Sequence, residues 1–304
     1  MTLPIILDMD PGIDDAAAIA IAVNNPDFEV RLLTSVAGNV SVDKTTTNEL
    51  KLLEFFGRTD IPVAMGAKQP LKKAYQDAAN IHGVSGMEGY EFAPVSTPVN
   101  HRDAVTAMVD VLMAAETHMT VVATGSYTNI ANLLTQHPEV KVKIDRFVLM
   151  GGSISGGNVS SVAEFNVFTD PDAAKIVFEA GVPIVMIGLD VTLKALISPA
   201  AMAKLATLNA SGKMLSSLLH SYQDEEAGGK PMHDVNTLFY LLHPEKFTLE
   251  RYQIDVVTEG PAIGATVADT QNRWSNGRTN ADVAVAVDAG YFESWFLASV
   301  AKMR

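Results

Sequence analysis

Four aspartates fall within eight residues near the start of the chain, in Leu7-Asp8-Met9-Asp10-Pro11-Gly12-Ile13-Asp14-Asp15. The stretch reads as the end of a buried strand, a turn and the first turn of a helix. Pro11 biases Asp10 toward extended backbone, and Gly12 permits a sharp turn. Asp14 and Asp15 then sit where a helix dipole favours acids. That stabilisation amounts to roughly 0.3–1 kcal/mol per residue and accounts for one or two carboxylates, not four. Two carboxylates about 4 Å apart repel by about 4 kcal/mol at an effective dielectric near 20. A proton or a cation must offset this. With oxygen donors and no cysteine in the chain, the cation is a hard one, Ca²⁺ or Mg²⁺. Asp8 shares the strand face of Asp10 by the two-residue period, as a supporting partner rather than a ligand.

Such a cluster needs elements that hold it. Apolar runs over 4–9, 29–37, 62–65, 119–124, 146–150 and 183–187 read as strands. Helical patterns lie between them, over 16–23, 42–56, 101–116, 130–136 and 171–180. Strands apolar on both faces and separated by helices predict a parallel sheet covered on both sides. The segment 199–243 reads as mainly helical. Runs over 252–258, 262–268 and 283–287 read as late strands, antiparallel at a sheet edge, before a last helix from about Tyr291. Several strands end in polar or glycine turns: Asp10-Pro11-Gly12, Gly38-Asn39, Gly125-Ser126, Gly151-Gly152 and Gly188-Leu189-Asp190. In a parallel sheet these ends share one edge, where ligands bind. No repeat or linker divides the chain, so residues 1–304 are expected to form a single domain.

Of 304 residues, 48% are hydrophobic and 19% charged, which suits a globular enzyme with a large core. The net charge of -13 argues against nucleic-acid binding. The lack of cysteine excludes disulfides and thiolate chemistry. No apolar run reaches the roughly 18 residues of a membrane span, and the N-terminus lacks the basic start of a signal peptide. No membrane association is expected, and the expected location is cytoplasmic.

The acidic stretch resembles the N-terminal signature of the inosine-uridine preferring nucleoside hydrolase family. Val36-Ala37-Gly38-Asn39-Val40, Ile81-His82-Gly83, Thr128-Asn129-Ile130-Ala131, Met150-Gly151-Gly152, Gly157-Asn158, Glu164-Phe165-Asn166 and His233-Asp234 are similar to further family motifs, in the family's order. Met9 stands where that family usually has Thr, and Ser126-Tyr127 where it has Gly or Pro followed by Leu.

The resemblance implies an open, mostly parallel, Rossmann-like α/β sheet with an antiparallel edge element. It implies hydrolysis of the N-glycosidic bond of ribonucleosides to ribose and free base. Asp10, Asp15 and Asp234 are then the carboxylate ligands of one Ca²⁺, with the backbone carbonyl of Thr124 as a further ligand. Asp14, Asn39, Met150, Asn158, Glu164 and Asn166 form the ribose-binding set, with Asp234 beside it. Asp10 doubles as general base. His82 and His233 lie near the leaving base, which His233 protonates. A homotetramer or homodimer is implied as well.

The chemistry is coherent. Displacing a nucleobase by water passes through an oxocarbenium-like transition state. It needs an activated water, stabilised charge on the sugar and a protonated leaving group. Calcium lowers the pKa of water less than zinc does, so a separate base such as Asp10 is required. Histidine titrates near neutrality and suits the acid. The glycine-rich loop around His82 is read as a mobile lid or an ordinary surface loop. Tyr222 is read as a base-stacking residue or a plain core aromatic. Two rival functions share parts of the pattern. A haloacid-dehalogenase-type phosphatase also carries Asp-x-Asp after a first strand, but would want a late acidic pair where only Asp190 stands. A non-catalytic calcium-dependent nucleoside-binding protein would lack the base or the acid.

Overall fold

The computed structural model describes residues 2–304. Its strands are β1 Leu3–Met9, β2 Phe28–Ser35, β3 Val63–Met65, β4 Met119–Ala123, β5 Ile144–Met150, β6 Ile184–Ile187, β7 Leu196–Ile197, β8 Lys230–Pro231, β9 Phe247–Tyr252, β10 Ile254–Val256, β11 Thr266–Ala268 and β12 Ala281–Val287. The helices are α1 Ile13–Asn24, α2 Val42–Phe56, α3 Ala79–His82, α4 Ala104–Ala114, α5 Thr128–Gln136, α6 Phe165–Thr169, α7 Pro171–Phe178, α8 Leu189–Thr192, α9 Pro199–Leu208, α10 Ala210–Ser221, α11 Val235–Leu242 and α12 Ala289–Val300.

The central sheet has the order β3-β2-β1-β4-β5-β6-β12-β9. Its pairs are parallel except β12 with β9, which closes one edge antiparallel. The strand order reverses between β1 and β4, the point where open α/β sheets bind ligands. β1 is buried on both faces from Ile5 onward, as a central parallel strand must be.

Two apolar layers cover the sheet. Helices α1, α2 and α9 to α12 pack on one face around Leu7, Met9 and Val185. Helices α4, α5 and α7 pack on the other around Ile6, Val121 and Phe147. Helix α1 is buried from Ile13 to Val23. Its apolar residues therefore run all round rather than along one stripe, as in a core helix.

The antiparallel edge differs in composition from expectation. The edge strand is β9, ahead of the expected 252–258 run. The strands β10 and β11 pair with each other in a separate ribbon. Asn280 explains the split: its side chain accepts from the Ile254 amide and donates to the Ile254 carbonyl, which turns the chain out of the sheet. The 199–243 segment is helical in α9, α10 and α11, but 222–234 is irregular apart from β8. Gly228 and Gly229 mark that interruption with positive φ. The α12 helix starts two residues ahead of Tyr291, capped by Asp288.

One core position is out of character. Glu49 on α2 is fully buried, and neither carboxyl oxygen has a hydrogen-bond partner. Burial, then the charges of Asp8 and Asp15, push it well above the usual carboxylate range. The folded protein thus keeps a proton that the unfolded chain releases. Stability from this group is complete at acid pH and is lost as pH rises toward the folded value. Glu49→Gln is therefore expected to gain Tm over wild type, and the gain should widen between about pH 5 and pH 8. Calorimetry at a series of pH values measures it; a gap independent of pH would mean Glu49 ionises freely in the fold.

Candidate active site

The site lies at the β1/β4 crossover, on the carboxyl edge of the sheet. A cavity of about 260 Å³ opens there, at the small end of ligand clefts. Its walls come from distant segments: Asp14 from α1, Asn39 after β2, His82 from α3, Thr124 after β4, Met150 from β5, Asn158, Glu164 and Asn166 around α6, and His233 and Asp234 before α11. Ten of the twelve residues singled out in the sequence line this one cavity. Asp10 and Asp15 lie fully buried behind it.

Asp14, Asp15 and Asp234 each offer an oxygen within 4.8 Å of the others. Asp10 stands outside that triad, whereas the expected trio was Asp10, Asp15 and Asp234. It remains electrostatically part of the cluster. Burial first, then the charge of Asp15, pushes the Asp10 carboxyl well above the usual range. Its Oδ2 accepts the Asn39 amide at 2.7 Å, while its Oδ1 is buried without a partner. Asp15 is raised to about 7 by burial and by Asp14, although Gly12 and Thr124 donate to it at 2.9 and 2.8 Å. Asp234 is also pushed well above the usual range, by burial and then by Asp14, Asp15 and Asp10. Buried acids this close, with Asp10 Oδ1 left bare beside them, could serve as donors to a hard cation. The residues present fit a divalent ion.

Two glycines make the approach possible. A Cβ on Gly38 would overlap the Asp10 carboxylate, and one on Gly12 would meet His82 Nδ1 at 2.5 Å and Asn39 Nδ2 at 2.7 Å. Asn39 is the hub, because its side-chain amide donates to the Asp10 carbonyl and to Asp15, both at 3.1 Å.

The two histidines sit in different electrostatic settings. His82 Nδ1 accepts the Ile13 amide at 3.0 Å, which fixes the proton of the neutral ring on Nε2. Burial lowers its pKa further, although Asp14 and Asp224 oppose this. For His233 burial also disfavours the cation, but Asp224, Asp14 and Glu164 outweigh it and raise the pKa. Both its ring nitrogens are engaged: Nδ1 with the Thr192 hydroxyl at 2.7 Å and Nε2 with Asp224 at 3.0 Å.

The expected sugar-binding groups are also tied to the backbone. Glu164 caps α6, accepting the Asn166, Val167 and Gly152 amides at 2.8, 3.1 and 2.8 Å. Asn166 Nδ2 donates to the Thr124 carbonyl at 2.6 Å and the Met150 carbonyl at 3.2 Å. Asn158 accepts the Phe165 amide at 3.0 Å.

Asp8 points away from the cluster, taking Thr34 and Asn129 at 2.6 and 2.8 Å. Tyr127 donates to the Met150 carbonyl at 2.9 Å. The departure from the family's Leu thus adds a brace to the strand end. The His82 segment is seated on the site rather than open. Its backbone is held by Lys44, Asn48 and Gln223.

Sequence reasoning missed Asp224 and Thr192, the two partners of His233. Asp224 lies in Gln223-Asp224-Glu225-Glu226, an acidic run that reads as solvated surface. The signal was the neighbouring Tyr222, which is buried and packs 5.2 Å from the His82 ring.

A sequence model of the inosine-uridine preferring nucleoside hydrolases matches residues 5–294. The chain belongs to that family. It is 49% identical to a non-specific ribonucleoside hydrolase RihC of Salmonella paratyphi B, over 97% of this chain and 96% of the relative. The corresponding Klebsiella pneumoniae protein is 48% identical over 97% of both. Among solved structures, a purine-preferring ribonucleoside hydrolase from Gardnerella vaginalis superposes with a TM-score of 0.92 at 31% identity, covering 98% of each chain. A plant nucleoside hydrolase superposes with a TM-score of 0.93 at 28% identity, covering 99% of each.

As a nucleoside hydrolase, the protein is an enzyme that cleaves the N-glycosidic bond of ribonucleosides. The phosphatase and the non-catalytic binding protein are thereby set aside. No helix among the described residues is long and apolar enough to cross a membrane.

Proposed function

We propose that the cavity holds a ribonucleoside with its ribose against the acid cluster and its base toward His82, Tyr222 and His233. The arrangement that carries this reading is one cavity walled by Asp14, Asp234 and Thr124 as well as by both histidines. Asp10, Asp15, Asp234 and the Thr124 carbonyl would hold one Ca²⁺, with Asp14 beside it. When bound, the ion supplies positive charge that offsets the carboxylates and acidifies nearby water.

Asp10 takes the proton of the attacking water. Its bare Oδ1 is a free acceptor, and loss of negative repulsion at the occupied cluster keeps it ionised. Asp14, Asn39, Asn158, Glu164 and Asn166 orient the sugar hydroxyls. The carboxylates among them also favour the positive charge that develops on the ring. His233 donates a proton to the departing base, which requires the base to displace Asp224 from Nε2. His82, neutral with its proton on Nε2, offers a second donor in the same pocket.

The reading treats the whole chain as one domain. A homotetramer or homodimer is what the family resemblance implies, and sedimentation of the purified protein measures the assembly.

A site that hydrogen-bonds a 2′-hydroxyl leaves buried partners unpaired when that group is missing. Inosine is therefore expected to be hydrolysed at least a hundredfold faster, roughly, than 2′-deoxyinosine in kcat/KM. Comparable values for the two would sink the ribose assignment.

A further inference from the structure

Asp224 is the one cavity carboxylate hydrogen-bonded to His233, with Oδ2 3.0 Å from Nε2. Its side chain is 27% exposed, open to the cavity rather than sealed in the core. Oδ1 accepts no hydrogen bond among the described residues. Burial pushes the carboxyl up, but the hydrogen bond and charge of His233 outweigh it and hold Asp224 below the usual range. The group is thus an ionised acceptor beside a ring donor.

The loop that presents it is built. Lys230 is buried and donates to the Tyr222 carbonyl at 2.7 Å and to Glu225 at 3.1 Å, on either side of Asp224. The Gln223 amide donates to the Ile81 carbonyl at 3.1 Å, tying this loop to the His82 segment. These contacts hold the backbone that carries Asp224, so the carboxylate stays at the base when the base takes its place on Nε2.

Donor and acceptor side by side read one edge of a purine. N7 is an acceptor in every natural purine. Its neighbour on that edge is an amino donor in adenine and a carbonyl acceptor in guanine, as in hypoxanthine. With His233 donating to N7, the Asp224 carboxylate meets the 6-substituent. An amino group donates to it. A carbonyl faces it lone pair to lone pair, and the carboxylate cannot donate.

We infer that Asp224 is a specificity-determining residue that makes this enzyme favour 6-aminopurine ribonucleosides over 6-oxopurine ones. The inference rests on the base-binding role proposed above for His233 and its neighbours. It assigns a preference within that site, set by the acidic run that sequence patterning reads as solvated surface.

The test measures kcat/KM for adenosine, inosine and ribosyl 4-nitrophenolate with wild type, Asp224→Asn and Asp224→Ala. The nitrophenolate leaves without protonation and has no purine edge, so it reports the sugar site and the fold alone. Wild type is expected to favour adenosine over inosine by about tenfold to a hundredfold, the range for a hydrogen bond to a charged group. Asp224→Ala should bring the ratio near one. Asp224→Asn presents an amide donor to the 6-oxo group and should invert it. Nitrophenolate cleavage by each variant gives the loss common to all substrates, so the adenosine-to-inosine ratio within each variant carries the reading. A wild-type ratio of one or below, or a ratio unmoved within about twofold by Asp224→Asn, overturns the inference while nitrophenolate cleavage leaves the hydrolase site standing. If wild type cleaves none of the three substrates, the proposed site itself fails.

Discussion

Asp10→Asn is expected to lower kcat for inosine at least a thousandfold, roughly, with little change in Tm. The substitution is nearly isosteric. The amide oxygen can still accept the Asn39 amide that Asp10 Oδ2 accepts at 2.7 Å. What is lost is the basic oxygen that the fold leaves bare beside the cluster. Removing one negative charge from a group that burial and Asp15 already push upward relieves repulsion, so the variant should fold as well as wild type. The fall belongs in kcat rather than KM, because the proton is taken in the transition state. Steady-state kinetics with a melting curve separates the cases. Activity within tenfold of wild type would remove Asp10 as the base.

Stripping the protein of divalent ions is expected to abolish turnover and to lower Tm by about 5 °C relative to protein with calcium at a hundred times its Kd. Asp14, Asp15 and Asp234 converge within 4.8 Å, and burial with mutual repulsion raises Asp15 to about 7 and Asp234 well above its usual value. An ion that replaces those protons stabilises only the folded state, because the unfolded chain does not assemble the site. Chelation followed by titration with Ca²⁺ or Mg²⁺ reads both effects. Recovery by Ca²⁺ and poor recovery by Mg²⁺ would fit a site built of carboxylates and a carbonyl. A chelated enzyme with full activity and an unchanged Tm would remove the cation from the account.

Much of this site was legible because the relevant residues carry strong local signals. Asp10-Pro11-Gly12 and Gly38-Asn39 are strand-end turns in a parallel pattern, and that topology sends both to one edge. The fully apolar runs around Ile5 to Leu7 and Val121 to Ala123 could only be central strands. The antiparallel edge was anticipated, and so was its inner strand β12, but not the outer strand β9. A side-chain bridge from Asn280 to Ile254 decides which run joins the sheet, and no periodicity carries that information. Asp224 was invisible for a related reason. Three successive acids with a Gly-Gly turn look solvated, and only the fold reveals that one of them turns inward onto His233. Glu49 was hidden the opposite way, as a polar residue on a helix face that the tertiary packing covers. That Asp14, rather than Asp10, joins Asp15 and Asp234 in the close carboxylate group is set by side-chain geometry, which residue spacing does not encode.

Asp15 and Asp234 lie far apart along the chain, yet they share one buried spot. No fragment short of residue 234 contains the complete carboxylate set, and a chain still emerging from the ribosome carries the aspartates of α1 without their distant counterpart. A cation bound by that set would therefore not act as an early template. It would arrive after the last crossover has closed, and would then slow the way out of the folded state more than hasten the way in.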